Sequence, residues 1–277
     1  MNRRLTWPFA LPALTLFLSA CQINAAQTPA ALPTAQISQA TSLPPATLTA
    51  PAPALTPTTA APSATPTPPI TPTCAAPATP DPNLGVGGVI YEDRFDGASG
   101  WFWTFEDPAA TFSVGDEQLN AVMTQANVGP RFTVRDDLQI GDQQLRVTVR
   151  AHLCYERDEY GVMFRLSTDS RGRYNGYVFK LNCGGMARFE LEQNQQATPL
   201  VEWTAAPAVV SGAPAENMLM VWMARDQFHF YINDKYLFSA ADATYAAGGY
   251  GLYLRDRTNG GETVSFDDLI VKEVRAP

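Results

Sequence analysis

Two glutamates, Glu190 and Glu192, stand at alternate positions of one segment. In an extended chain they share a face and lie roughly 7 Å apart along it, a spacing that suits a pair of carboxylates working on either side of a glycosidic bond. The next position on that face is Asn194, an amide that cannot act as acid or base. The pair therefore reads first as the solvated face of a strand. A second acidic group, Glu156, Asp158 and Glu159, falls in an apparent turn with Arg157 and reads as loop charge. The imidazoles are His152 and His229, far apart and each on the polar side of a strand, which argues against a zinc site of several histidines and against a catalytic triad.

Sugar recognition needs a different set. Rings stack on the apolar faces of pyranoses while charged and amide groups hydrogen-bond the hydroxyls. Arg165, Lys180, Trp222, His229, Tyr231 and Tyr253 are the candidates, because strand parity sets them opposite their core neighbours. Trp222 also reads as core, since every position from Met218 to Met223 is apolar. Trp101 and Trp103 read as packing under an edge.

These residues need strands to hold them. After Leu84 the chain runs in short apolar and polar alternations separated by turn residues, with no apolar stripe at helical spacing. Leu145, Val147, Val149, Ala151 and Leu153 oppose Arg146, Thr148, Arg150 and His152, so one face is core and the other wet. Phe132 and Val134 oppose Arg131, Thr133 and Arg135 in the same way, and Tyr177, Phe179 and Leu181 oppose Val178 and Lys180. Phe228, Phe230 and Ile232 oppose His229 and Tyr231, and Asn233-Asp234 forms a tight turn into Tyr236-Leu237-Phe238. Strands of this kind hide one face each by stacking as two antiparallel sheets, so the fold class is an all-β sandwich.

The chain that carries it is not uniform. Its 23 prolines crowd the first third, and removing Arg3, Arg4 and Asp81 from totals of 19 basic and 27 acidic residues leaves 17 and 26 beyond Pro82, a net of −9. An acidic domain with no basic, aromatic-interleaved run excludes nucleic acid as a partner. Residues 84–277 bury enough surface to fold as one domain without metal or disulfide. Residues 1–20 have the basic leader and apolar run of a secretory signal, too short and too proline-broken to span a bilayer. Residues 21–83, rich in Ala, Pro, Thr and Ser, are expected to form a disordered stalk, extended up to about 190 Å or coiled to about 45 Å. Cys74 lies in it without an obvious partner.

Leu18-Ser19-Ala20-Cys21 resembles the lipobox of bacterial lipoproteins. The resemblance implies acylation of Cys21, export, and a membrane contact made through lipid alone on the extracytoplasmic side. In that compartment Cys154 and Cys183 are expected to form a disulfide, with two separate thiols as the alternative, because strand parity sets Cys154 with His152 and Cys183 with Leu181, on opposite faces.

The opening Tyr91-Glu92-Asp93-Arg94-Phe95-Asp96 with Gly100-Trp101 resembles the first strand of concanavalin A-like (laminin G-like) jelly rolls. Tyr160-Gly161-Val162-Met163-Phe164-Arg165, Phe230-Tyr231-Ile232-Asn233-Asp234, Gly249-Tyr250-Gly251-Leu252 and Phe266-Asp267-Asp268-Leu269-Ile270-Val271 are similar to later strands of that family. The resemblance implies a possible structural calcium ion between Asp93 or Asp96 and Asp267 or Asp268. Glucanases of this superfamily carry Glu-x-Asp-x-Glu on one strand, which this chain lacks. Three functions stay open: non-catalytic carbohydrate binding, hydrolysis of modified disaccharides as in a keto-disaccharide hydrolase-like family of similar outline, and a structural or protein-binding adhesive role.

Overall fold

The computed structural model describes residues 78–97, 106–170 and 173–275. The segment expected to be a secretory signal, Cys21 with its expected lipid, the expected stalk to residue 77 with Cys74, and Trp101 and Trp103 lie outside them.

Among the described residues there are fifteen strands and no helix. In chain order they are β1 (Val86–Asp93), β2 (Glu106–Asp107), β3 (Ala110–Gly115), β4 (Gln118–Met123), β5 (Arg131–Ile140), β6 (Gln143–Leu153), β7 (Glu159–Thr168), β8 (Tyr174–Asn182), β9 (Met186–Gln193), β10 (Gln196–Ala205), β11 (Ala215–Ala224), β12 (Gln227–Ile232), β13 (Lys235–Ala241), β14 (Gly248–Arg255) and β15 (Thr263–Val274). Nine form one antiparallel sheet in the order β13-β12-β11-β6-β15-β4-β3-β2, with β1 also on β15; six form the other, β10-β9-β8-β7-β14-β5. The long β15 makes this possible: its first half pairs β4, its second half pairs β1, and a bulge at Asp267–Asp268 separates them.

Alternation explains the core between the sheets. Val147, Val149, Leu219, Val221, Phe228 and Phe230 point inward from the larger sheet and meet Val162, Phe164, Tyr177, Phe179, Phe189 and Leu252 from the smaller one. Rings dominate the contact, with Phe230 centroids 4.6 Å from Phe189 and 4.8 Å from Phe179. Each such pair adds to simple burial through its edge and face geometry. Asn233 and Asp234 both take positive φ, as the two-residue turn between β12 and β13 requires.

Parity fails in three places. In β5 it is inverted: Thr133 pairs with the core residue Leu252, while Phe132 and Val134 pair with Tyr253 and Gly251 on the outer face. The outer face of the smaller sheet carries its own apolar cluster of Val134, Met163, Leu166, Val178 and Tyr253, so hydrophobic alternation does not say which side is in. At the end of β6, Leu153 is 41% exposed and Cys154 is buried. Cys154 and Cys183 are joined as a disulfide, with Cα atoms 6.1 Å apart. In β7 a bulge follows Phe164, and Arg165 takes φ 47°, which turns its side chain inward. Gly248 packs on this bulge, where a Cβ would collide with the Arg165 carbonyl carbon.

The larger sheet is also covered outside. Met218, Met220, Trp222 and Tyr231 cluster there with Val274 and Val86. Residues 80–84 bridge this patch: Trp222 Nε1 donates to Leu84 O at 2.9 Å, Tyr231 OH to Pro80 O at 2.9 Å, and Gln144 Nε2 to Pro82 O at 2.7 Å. The segment that leads into the sandwich thus covers part of this face.

Candidate functional site

The outer face of the six-stranded sheet holds a cavity of about 480 Å³. Register builds it. Tyr253, Gly161, Lys180 and Arg188 stand in one row across β14, β7, β8 and β9. Gly161 matters because a Cβ there would strike Phe179 O and the Lys180 backbone. Its absence lets the Lys180 ammonium cross the row to lie 5.1 Å from the Tyr253 ring centroid.

Lys180 is buried at the floor and joins two carboxylates, Glu190 at 2.8 Å and Glu159 at 3.0 Å. Arg257 grips Glu159 from the other side at 2.6 Å, and Arg188 grips Glu190 at 2.9 Å. The Tyr253 hydroxyl donates to Glu159 at 3.2 Å. Buried charges persist when paired in this way. Burial disfavours the charged form of Glu159, but Lys180 and Arg257 outweigh it and hold the carboxyl below its ordinary range. Burial, then the neighbouring Glu190 charge, pushes Glu192 up. Burial, then Glu159, raises the Tyr253 phenol well above its usual value, so it remains a donor.

Loop carboxylates set the rim. Asp158 accepts bonds from the Tyr155 and Arg257 amides at 2.8 and 2.9 Å and from the Thr258 hydroxyl. Asp256 accepts from the amides of Thr258, Gly260 and Glu262. Together they fix the turn after β14 and so place Arg257 beside Glu159. Asp158 and Glu159 are buried structural groups, not loop charge as their sequence context suggested. Apolar and aromatic walls come from Phe132, Tyr174 and Met163. Trp203 on β10 lies beside this lining, its ring 5.7 Å from the Lys180 ammonium and 5.8 Å from the Arg188 guanidinium. It opens onto a smaller adjoining cavity of about 290 Å³ with Asn182, Arg157 and Arg257.

Of the six residues proposed for ligand contact, the structure brings Lys180 and Tyr253 together here. Arg165 is fully buried instead; it donates to Arg225 O at 2.7 Å and Tyr245 O at 3.0 Å and lies over the Phe228 ring, closing the core end. Trp222, His229 and Tyr231 face outward from the other sheet, where Trp222 and Tyr231 are buried under residues 80–84. His229 stacks on Trp222 at 4.9 Å and bonds Ser239. Glu190 is buried rather than solvated, and Asn194, with φ 55°, begins the turn after β9 instead of extending the carboxylate face.

The four aspartates considered for calcium lie at the end of β1 and at the bulge of β15. Asp93 spends its oxygens on the Phe95 amide at 2.7 Å and the Tyr91 hydroxyl at 2.9 Å. Asp267 binds Arg150 at 2.8 Å and its own neighbour's amide, while Asp268 sits at the bulge and Asp96 beyond β1. Among the described residues no group of three or more His, Cys, Asp or Glu is placed to hold a metal.

No protein-family model matches the sequence, and no curated protein matches it. Solved structures do match in fold. A Bacillus subtilis protein of unknown function with a galectin-like fold aligns over 69% of this chain and 99% of its own at 14% identity, with a TM-score of 0.51. That likeness is one of fold. A carbohydrate-binding module, CBM66, from Bacillus subtilis covers 59% of the chain and 92% of itself at 18% identity and TM-score 0.48; a Bacillus licheniformis β-glucanase covers 68% and 99% at 9% and 0.48. The concanavalin A-like sandwich expected from the strand motifs is the architecture of the domain.

Reasoning from sequence missed Trp203, Arg188, Arg255, Arg257 and Tyr174, and it assigned Phe132 to the core. A signal was present for three of them: Arg188 alternates with Glu190 and Glu192, and Arg255 and Arg257 continue the spacing from Tyr253.

Proposed function

We propose that the sandwich binds carbohydrate without catalysis, through the outer face of its six-stranded sheet, and that lipid at Cys21 with the stalk of residues 21–83 displays it on the extracytoplasmic side. One observation carries the binding reading. The 480 Å³ cavity combines the partly exposed rings of Phe132 and Tyr174 with a fixed lattice of ammonium, guanidinium and carboxylate groups, and Trp203 stands beside them on the smaller neighbouring cavity. Rings cover the C–H faces of a pyranose while preset polar groups meet its hydroxyls, and a site already cross-linked by ion pairs loses little entropy when a sugar arrives. Environmental polysaccharide and envelope glycan both present such faces.

The test is a glycan array probed with the protein, followed by calorimetry. Trp203→Ala should weaken binding roughly fivefold, about 1 kcal/mol of lost stacking, with the melting temperature nearly unchanged. No glycan bound, or affinity untouched by Trp203→Ala, would refute the reading.

One observation favours hydrolysis as a second reading: Glu192, its pKa raised by burial and Glu190, lines the cavity two residues from a paired carboxylate. Release of reducing or keto-sugar that disappears in Glu192→Gln would establish it in place of the first.

A further inference from the structure

The cavity has the opposite charge balance to the domain that contains it. Beyond Pro82 the chain carries a net of −9. The cavity, by contrast, is lined by Lys180, Arg188, Arg255 and Arg257 against Glu190 and Glu192. Pairing accounts for most of these. Lys180 is spent on Glu159 and Glu190, Arg257 on Glu159 through Nε, and Arg188 on Glu190 and, at 3.4 Å, Glu202.

Arg255 is the exception. It makes no ion pair among the described residues; its side chain meets the Tyr253 hydroxyl, but its Nε is buried without a hydrogen-bond partner. Register sets it directly opposite Glu159 at the end of β14, on the face that Tyr253 shares. Glu192, which shares the cavity, feels the Arg255 charge but forms no ion pair with it. A buried guanidinium nitrogen with nothing to donate to costs free energy unless a ligand supplies the acceptor.

Resting on the carbohydrate reading above, we propose that the site selects glycans bearing a single accessible carboxylate, such as a terminal uronic acid, with Arg255 as the group that reads it. A carboxylate matches the planar guanidinium fork, and the half-buried position of Arg255 strengthens the pair. The surrounding domain narrows the choice further. Its negative field repels long polyanions, while screening over about 8 Å at physiological salt leaves an isolated charge free to enter. The same ring surfaces that stack on neutral sugars then hold the pyranose that carries the acid.

The experiment probes the full chain with paired oligosaccharides that end in a uronic acid or in the same sugar after carboxyl reduction, plus sulfated versions. The acid form should bind at least roughly tenfold tighter, the scale of one charge-assisted hydrogen bond. That ratio should shrink between 50 and 500 mM NaCl (about 14 to 4 Å of screening) and collapse in Arg255→Gln. The salt arm uses the unaltered protein, so it stands even if the variant misfolds. Equal binding of acid and reduced forms overturns this proposal and leaves carbohydrate binding intact. Tighter binding of the sulfated form overturns the choice of carboxylate. Binding of no member of any pair overturns both readings.

Discussion

Replacing Lys180 by methionine should destabilise the sandwich by about 3 kcal/mol at neutral pH, and the deficit should fade in acid. The ammonium lies 2.8 Å from Glu190 and 3.0 Å from Glu159, and all three groups are almost fully buried. At an effective dielectric near 20, each contact is worth about 5–6 kcal/mol of direct attraction, most of it offset by the cost of taking the ions from water. Methionine fills the same volume but leaves two carboxylates short of one partner each. Breaking a buried pair from one side costs roughly 3–5 kcal/mol, and the remaining grips of Arg257 on Glu159 and Arg188 on Glu190 place this case at the low end. The pH dependence follows from Glu159, whose folded pKa lies below its ordinary value. Such a group contributes stability that is full above the ordinary carboxylate range and is lost as pH falls through the folded value. Without Lys180 that contribution shrinks, so the difference between the proteins is greatest near pH 7 and narrows as pH falls through the carboxylate range. Urea denaturation followed by tryptophan fluorescence measures it; with a slope of about 2 kcal/mol per molar, the midpoint should drop by roughly 1.5 M. A deficit under about 1 kcal/mol, or one equal at pH 3.5 and pH 7 (about either side of the carboxylate range), would refute the reasoning.

Three further outcomes are expected. Glu262 is buried beside Asp158 and Asp256, and burial followed by those charges raises its pKa well above normal, so folded stability falls as pH climbs from the ordinary carboxylate range toward that value. Glu262→Gln removes this linkage, and its melting temperature relative to the parent should rise with pH across that window; parallel curves would contradict it. Reducing the Cys154–Cys183 disulfide, which closes a separation of 29 residues, should cost about 3.5 kcal/mol, read from denaturation with and without reductant. Trp222→Phe removes the indole bond to Leu84 O, about 1 kcal/mol, and should speed amide exchange of Leu84 and Val86 roughly fivefold; unchanged protection would show that the 80–84 segment is held by something else.

Pattern alone determined the fold class, because period-two alternation in segments such as 145–151 and 228–232 has one physical solution, two stacked antiparallel sheets with the apolar faces together. It also located Lys180 and Tyr253 on an outer face, since parity is unbroken in β8 and, from Tyr250 on, in β14. The rest required the third dimension. A bulge at Arg165 and an inverted β5 reverse inside and outside without changing the composition of the strand, and an outer face with its own apolar cluster hides that reversal from any hydropathy count. Trp222 and Tyr231 point outward, as alternation implies, yet only the path of residues 80–84 shows that they are sealed. Glu190 and Glu159 lie thirty-one residues apart in sequence; that one lysine between them makes both carboxylates part of a site, instead of a wet edge and a loop, is a fact of strand register, and register is set by long-range pairing that no local stretch of sequence encodes.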